Sequence, residues 1–234
     1  MRWHRRAKIA FIGSHGIRKT TAAHAFASTI QRAGRSVEYG REVVRDSPLG
    51  INETATGEGQ LWVLVSQIRQ ELELAPRAEV LVLDRGVMDN FAYYLRATRG
   101  ADPYAVEPLV RAWSATYDLV LRLTPDLALR PDGVRSTSDA FRDEVERILD
   151  ARLAGYVRPD RMIVIPASAV SEGFDWWPVA ERLAAIVGEP LLAPGVSPPA
   201  RRRGQRPAEP SNRDVRQPFD SGQLALELPS EPAP

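Results

Sequence analysis

Gly13, Ser14, His15, Gly16, Ile17, Arg18, Lys19, Thr20 and Thr21 follow a spacing that phosphate chemistry uses. In the pattern G-x-x-x-x-G-K-[ST], a turn aims backbone N–H groups at phosphates. Its lysine reaches the β- and γ-phosphates and its hydroxyl ligates Mg²⁺. Gly13, Lys19 and Thr20 occupy their places, but arginine stands at 18 where the pattern has glycine. Two outcomes are open. A Cβ here obstructs the close approach that glycine permits, which predicts weak nucleotide binding or poor turnover. A side chain extended outward instead adds positive charge beside the anion, which predicts retained binding.

Other chemistry-bearing residues follow apolar runs. Asp84 ends Val80-Leu81-Val82-Leu83 and suits a second Mg²⁺ partner, directly or through water. A turn or cap residue is the plain alternative. Arg85 beside it suits contact with a substrate phosphate. Glu42 could take a proton from an acceptor hydroxyl, with Arg45 near the same substrate; a surface ion pair explains the two equally well. Gln67 could read a base or amide edge, or simply face solvent. Arg135, in Arg130-Pro131-Asp132-Gly133-Val134-Arg135, and Arg142 beyond it suit a lid that stabilises a transferring phosphoryl group. Asp89 fits a helix cap.

These residues need a scaffold that brings them together. Strands are predicted over residues 8–12, 36–39, 80–83, 119–123 and 162–165. Helices are predicted over 19–33, 57–74, 90–95, 104–117, 139–156 and 176–187. Gly34 suits the left-handed stop of the first helix. Leu61, Leu64, Val65, Ile68 and Leu72 define the expected apolar face of the second. The alternation predicts an α/β fold, a five-stranded parallel sheet sandwiched by helices. Gly13, Glu42, Asp84 and Thr124 then gather beyond the strands' carboxyl ends.

Net charge is +1 over 234 residues, so no global field favours nucleic acid or a membrane. The chain has no cysteine, which removes disulfides and thiolate metal sites. No run approaches the length of a membrane span, so a cytoplasmic protein is expected. The folded domain is expected over residues 1–192, and a Pro/Arg-rich tail over 193–234 is expected to be disordered.

The string Ile-Ala-Phe-Ile-Gly-Ser-His-Gly-Ile-Arg-Lys-Thr-Thr resembles the AAA-type P-loop ATPase/kinase family related to nicotinamide riboside kinase. More distantly it is similar to thymidylate and deoxynucleoside kinases. Glu42-Val43-Val44-Arg45, Val82-Leu83-Asp84-Arg85-Gly86-Val87-Met88-Asp89-Asn90 and Pro131-Asp132-Gly133-Val134-Arg135 with Phe141-Arg142 carry the rest of the likeness, which excludes the tail. It implies a P-loop NTPase fold of nucleoside/nucleotide-kinase type. It also implies ATP and Mg²⁺ binding, and γ-phosphoryl transfer to a nucleoside- or nucleotide-like acceptor. The alternative is a catalytically impaired nucleotide-sensing or partner-binding module. In the tail, Gln223-Leu224-Ala225-Leu226-Glu227-Leu228 resembles short peptides that dock on the DNA sliding clamp, a possible partner.

Overall fold

The computed structural model describes residues 6–129, 138–153 and 155–198. Arg135, the rest of the expected lid at 130–137 and the tail island at 223–228 lie outside them.

Five strands form the sheet: β1 (Ala7–Ile12), β2 (Val37–Gly40), β3 (Val80–Asp84), β4 (Leu119–Thr124) and β5 (Met162–Pro166). Their order is β2-β3-β1-β4-β5, and every neighbouring pair is parallel. β1 is central, and in register Phe11 pairs with Asp84 on one side and with Leu121 on the other. The phosphate-type loop therefore opens between the ends of β3 and β4.

The period-two alternation of β1 assigns its side chains to two cores. Ile9 and Phe11 pack beneath α1 (Lys19–Arg32) and α7 (Trp177–Val187), against Phe26, Trp176 and Leu183. Ala10 and Ile12 face α2 (Gly57–Leu74), α3 (Val87–Ala97), α4 (Glu107–Ser114) and α5 (Asp139–Leu153), against Leu64, Phe91 and Val145. The helices thus cover both faces, as parallel strands buried on both sides require. Gly34 does stop α1 in the left-handed region, at φ 81°. The described chain stays packed past α7: the Ala193 N–H donates to the Ala33 carbonyl at 2.9 Å.

Three departures from the sequence expectation have local causes. On α2, Val65 and Leu72 are 51% and 61% exposed, and the buried face carries Gln60, Val63, Leu64, Gln67 and Glu71. That polar face is satisfied at Glu71. Its carboxylate accepts from Lys8 Nζ (2.9 Å), Gln67 Nε2 (3.0 Å), Trp113 Nε1 (2.6 Å) and Tyr117 Oη (2.9 Å). α3 starts at Val87, earlier than predicted, where the Val87 N–H donates to Tyr117 Oη at 3.0 Å. α4 starts later, at Glu107, because Asp102 accepts the Val106 and Glu107 amides at 3.0 and 2.9 Å. A further one-turn helix, α6 (Ala167–Ser171), is too short to show a period in sequence. Among the described residues, no helix is long and apolar enough to cross a membrane.

Candidate functional site

The loop after β1 folds as its glycines dictate. Gly13 has φ 141°, and a Cβ there would stand 2.6 Å from the Leu123 carbonyl oxygen. Gly16, at φ 75°, would collide with Leu129. From the first residue of α1, Lys19 reaches back across the turn. Its Nζ donates to the Gly13 carbonyl at 2.8 Å and to the Ser14 carbonyl. The first two loop amides are held from outside. The Gly13 N–H donates to Asp89 Oδ1 on α3 at 2.7 Å, and the Ser14 N–H to Glu146 Oε1 on α5 at 2.6 Å. Arg122, buried on β4, pairs with Glu146 at 2.5 Å and Asp150 at 2.7 Å. The opening turn of α1 has no acidic residue and no side-chain cap, which suits an anion at the helix N-terminus.

Arg18 adopts the conformation that glycine would take. Its φ of 65° and ψ of 21° are left-handed, which costs an L-residue roughly 1–2 kcal/mol. The residue is exposed, so its side chain lies outward. Its carbonyl still accepts the Ala22 amide at 3.0 Å.

Thr20 and Asp84 meet at the adjoining strand end, where Thr20 Oγ1 donates to Asp84 Oδ2 at 2.6 Å. A hydroxyl and a carboxylate at that separation fit Mg²⁺, which takes few protein oxygens and completes its shell with water and phosphate. Among the described residues, no cluster of three or more His, Cys, Asp or Glu side chains offers a fuller metal cage.

Arg85 turns the other way. Its backbone φ is 102°, a strained value for a bulky residue. Its N–H donates to the Phe11 carbonyl at 3.1 Å, and its own carbonyl accepts from Gln67 Nε2 at 3.4 Å. The guanidinium Nε lies 2.5 Å from Glu42 Oε1, and Arg45 Nε lies 3.5 Å from Glu42 Oε2. Glu42, Arg45 and Arg85 line one cleft together with His15, Asn90 and Tyr93. His15 Nδ1 is 3.2 Å from Tyr93 Oη, which ties the loop to this cleft.

Burial shapes the charges. It pulls the Lys19 ammonium down to about 7, with Arg85 acting in the same direction and the nearby carboxylates opposing. It pushes the Asp89 carboxyl up to about 6 against Lys19 and Arg85. Burial also acts to raise Glu146, but Arg122 overrides it and holds the carboxyl low.

The structure therefore gathers Lys19, Thr20, Asp84, Glu42, Arg45 and Arg85 around one strand end. Gln67 is fully buried, with its amide directed at Glu71 and the Arg85 carbonyl; Gln60 of the same helix lines the cleft. Arg142 donates to the Leu127 carbonyl at 3.0 Å and pairs with Asp139 at 2.9 Å. Asp89, Glu146 and Arg122 were not read as site residues from sequence. The available signal was Arg122, a charge inside the apolar run of β4. Asp89 resembled an ordinary cap because its partner is far away in the chain.

Residues 8–171 match the family model described as an AAA domain. No curated protein matches the chain. Among solved structures, NadR protein in complex with NR superposes at TM-score 0.60 with 17% identity, covering 79% of this chain and 52% of NadR. The chain thus spans about half the length of that protein. Deoxyadenosine kinase from M. mycoides with bound dCTP matches at TM-score 0.49 with 14% identity, covering 77% of this chain and 97% of the kinase. The five-stranded parallel sheet with flanking helices is the P-loop kinase-like fold that the NadR superposition shows. With the family model matching most of its length, the chain belongs to the AAA domain family.

Proposed function

We propose that the chain binds ATP with Mg²⁺ at residues 13–21 and transfers the γ-phosphoryl group to a nucleoside- or nucleotide-like acceptor in the cleft beside Glu42. One observation carries this reading. Asp84 and Arg85 are consecutive, yet Asp84 meets Thr20 at 2.6 Å and Arg85 meets Glu42 at 2.5 Å. A single strand end thus joins a metal-type pair to a polar cleft.

Bound ATP with Mg²⁺ supplies the phosphoryl group and neutralises part of its charge. Lys19, anchored across the loop, contacts the β- and γ-phosphates. Thr20 and Asp84 hold the metal. Glu42, with Arg45 and Arg85 on its two oxygens, orients the acceptor or takes its proton. Arg85 faces the charge that develops during transfer. Arg142, and Arg135 in the segment outside the described residues, serve as the lid arginines. Positioning and charge stabilisation supply most of the rate in such reactions.

The left-handed Arg18 favours a second reading, a nucleotide-sensing module with degraded turnover. The test is to titrate ATP with Mg²⁺ into wild type, Lys19→Ala and Arg18→Gly, and to assay transfer across nucleosides and nucleotides. Transfer lost in Lys19→Ala supports the kinase reading. ATP binding absent from wild type and restored by Arg18→Gly replaces it with the second.

A further inference from the structure

Two amides on the cleft wall leave hydrogen-bonding atoms unpaired among the described residues. Asn90 on α3 is 2% exposed, lines the cleft, and its Nδ2 is buried without a hydrogen bond to any described residue. Gln60 on α2 is 4% exposed and lines the same cleft. Its backbone N–H donates to the Thr56 carbonyl, but its side chain bonds to no described residue. A buried amide left unpaired costs its full desolvation, so native proteins almost always satisfy such groups. Asn90 Nδ2 is such a group, and Gln60 presents a second amide to the same cleft from another helix. Gln67, two turns along the same face of α2, is engaged through Nε2 by Glu71 and the Arg85 carbonyl.

The remaining lining narrows the ligand. Val44, Ile51 and Val63 give the cleft apolar wall beside the Glu42–Arg85 pair. A planar heterocycle suits apolar walls with a few directional amides. An aliphatic or purely sugar-like group would leave the amides or the apolar wall unmatched.

We infer that Gln60 and Asn90 form the specificity-determining pair of this cleft, reading the hydrogen-bonding edge of a nucleobase-like ring. A ring carbonyl or ring nitrogen accepts from Asn90 Nδ2, and Gln60 pairs with a neighbouring polar atom of the same edge. This inference rests on the reading of the cleft as the acceptor site.

The test is calorimetric binding of the common ribonucleosides, deoxyribonucleosides and their 5′-monophosphates, with ribose 5-phosphate as the baseless control. Wild type, Gln60→Met and Asn90→Leu are compared, with ATP affinity and Tm measured alongside. Wild type is expected to prefer one base by about tenfold or more. Each substitution weakens that ligand by roughly ten- to a hundredfold and leaves ATP affinity within about twofold. Tm stays level or rises, because an apolar group replaces an unpaired amide. Asn90→Asp keeps the side-chain shape and exchanges a donor for an acceptor, so it shifts the base preference. That readout stands even where Asn90→Leu folds poorly.

Unchanged base preference in all three variants overturns the inference, as does wild-type binding of ribose 5-phosphate equal to that of any nucleotide. The two readings fail separately. Base-selective binding that the variants lose, with no transfer in wild type, sinks the kinase reading alone. Transfer with acceptor KM unaltered in every variant sinks this one alone.

Discussion

The Asp89 carboxylate on α3 holds the Gly13 amide at the end of β1, with 2.7 Å between Oδ1 and the nitrogen. The other oxygen, Oδ2, is buried without a partner among the described residues. Like the His15–Tyr93 contact, the Oδ1 bond joins the phosphate-type loop to the helix that carries Asn90 and Tyr93. It also places a carboxyl where burial pushes its pKa up to about 6.

That placement fixes a pH dependence. The folded state holds the Asp89 proton more tightly than the unfolded chain does. The resulting stability is fully present below the unfolded value near pH 4 and is lost as pH rises through about 6. Asp89→Asn keeps a carbonyl oxygen for the Gly13 amide but cannot ionise. Relative to wild type it should gain on the order of 2 kcal/mol between about pH 4 and pH 7. Urea unfolding across that range is the check, and a constant difference between the two proteins would refute it.

Glu146 makes the corresponding attachment from α5. Its carboxylate takes the Ser14 amide and the buried Arg122 guanidinium together. Glu146→Leu removes both bonds and leaves Arg122 with Asp150, whose side chain is 64% exposed. Breaking a buried pair from one side costs about 3–5 kcal/mol. The expected result is a fall in Tm of about 6–20 °C at this chain length. Replacing Arg122 with Met in the same protein should recover part of the loss, because no unpaired buried charge remains. Thermal unfolding of the single and double variants measures this.

At Arg18 two effects oppose each other. Glycine relieves a left-handed strain of roughly 1–2 kcal/mol. It also loosens the unfolded chain, which returns about 0.5–1 kcal/mol. Relief is the larger, so Arg18→Gly should raise Tm by about 1–3 °C. The exposed side chain leaves the loop path unchanged, and the Lys19 bonds to the Gly13 and Ser14 carbonyls should persist. A fall in Tm would mean that the arginine makes a stabilising contact that its exposure does not suggest.

The sheet was legible because parallel strands buried on both faces read as short apolar runs, and Val80-Leu81-Val82-Leu83 fits that description closely. The loop was legible because glycine spacing is local. Asp84 was legible as the residue that ends β3, and Glu42 as one that follows β2. Glu146 was not, because it acts across a long sequence separation: it meets a residue 132 positions away. α2 shows the same limit from the other side. Its apolar spacing pointed to Val65 and Leu72, while the helix buries Gln67 and Glu71, whose partners come from β1, α4 and the loop before β4. Periodicity counts apolar residues and cannot detect a polar face that is satisfied by tertiary partners.

The strained residue of the cleft gives a test in which the two contributions have different sizes. Arg85 sits at φ 102° with its Nε 2.5 Å from Glu42 Oε1, and both side chains are almost fully buried. Arg85→Gly releases about 1–3 kcal/mol of backbone strain. It also leaves the buried Glu42 carboxylate with Arg45, which is 3.5 Å away and nearly half exposed, and breaking such a pair costs about 3–5 kcal/mol. The second effect is larger, so the single variant should be destabilised by about 2 kcal/mol. Glu42→Gln alone leaves Arg85 both charged and strained, and should lose the full amount of about 3–5 kcal/mol. In the double variant the charge and the strain are both gone, so its loss should be well below the sum of the singles. The expected coupling is at least about 2 kcal/mol. A double-mutant cycle by chemical denaturation measures it. Simple additivity would show that Glu42 does not hold Arg85 in its left-handed backbone.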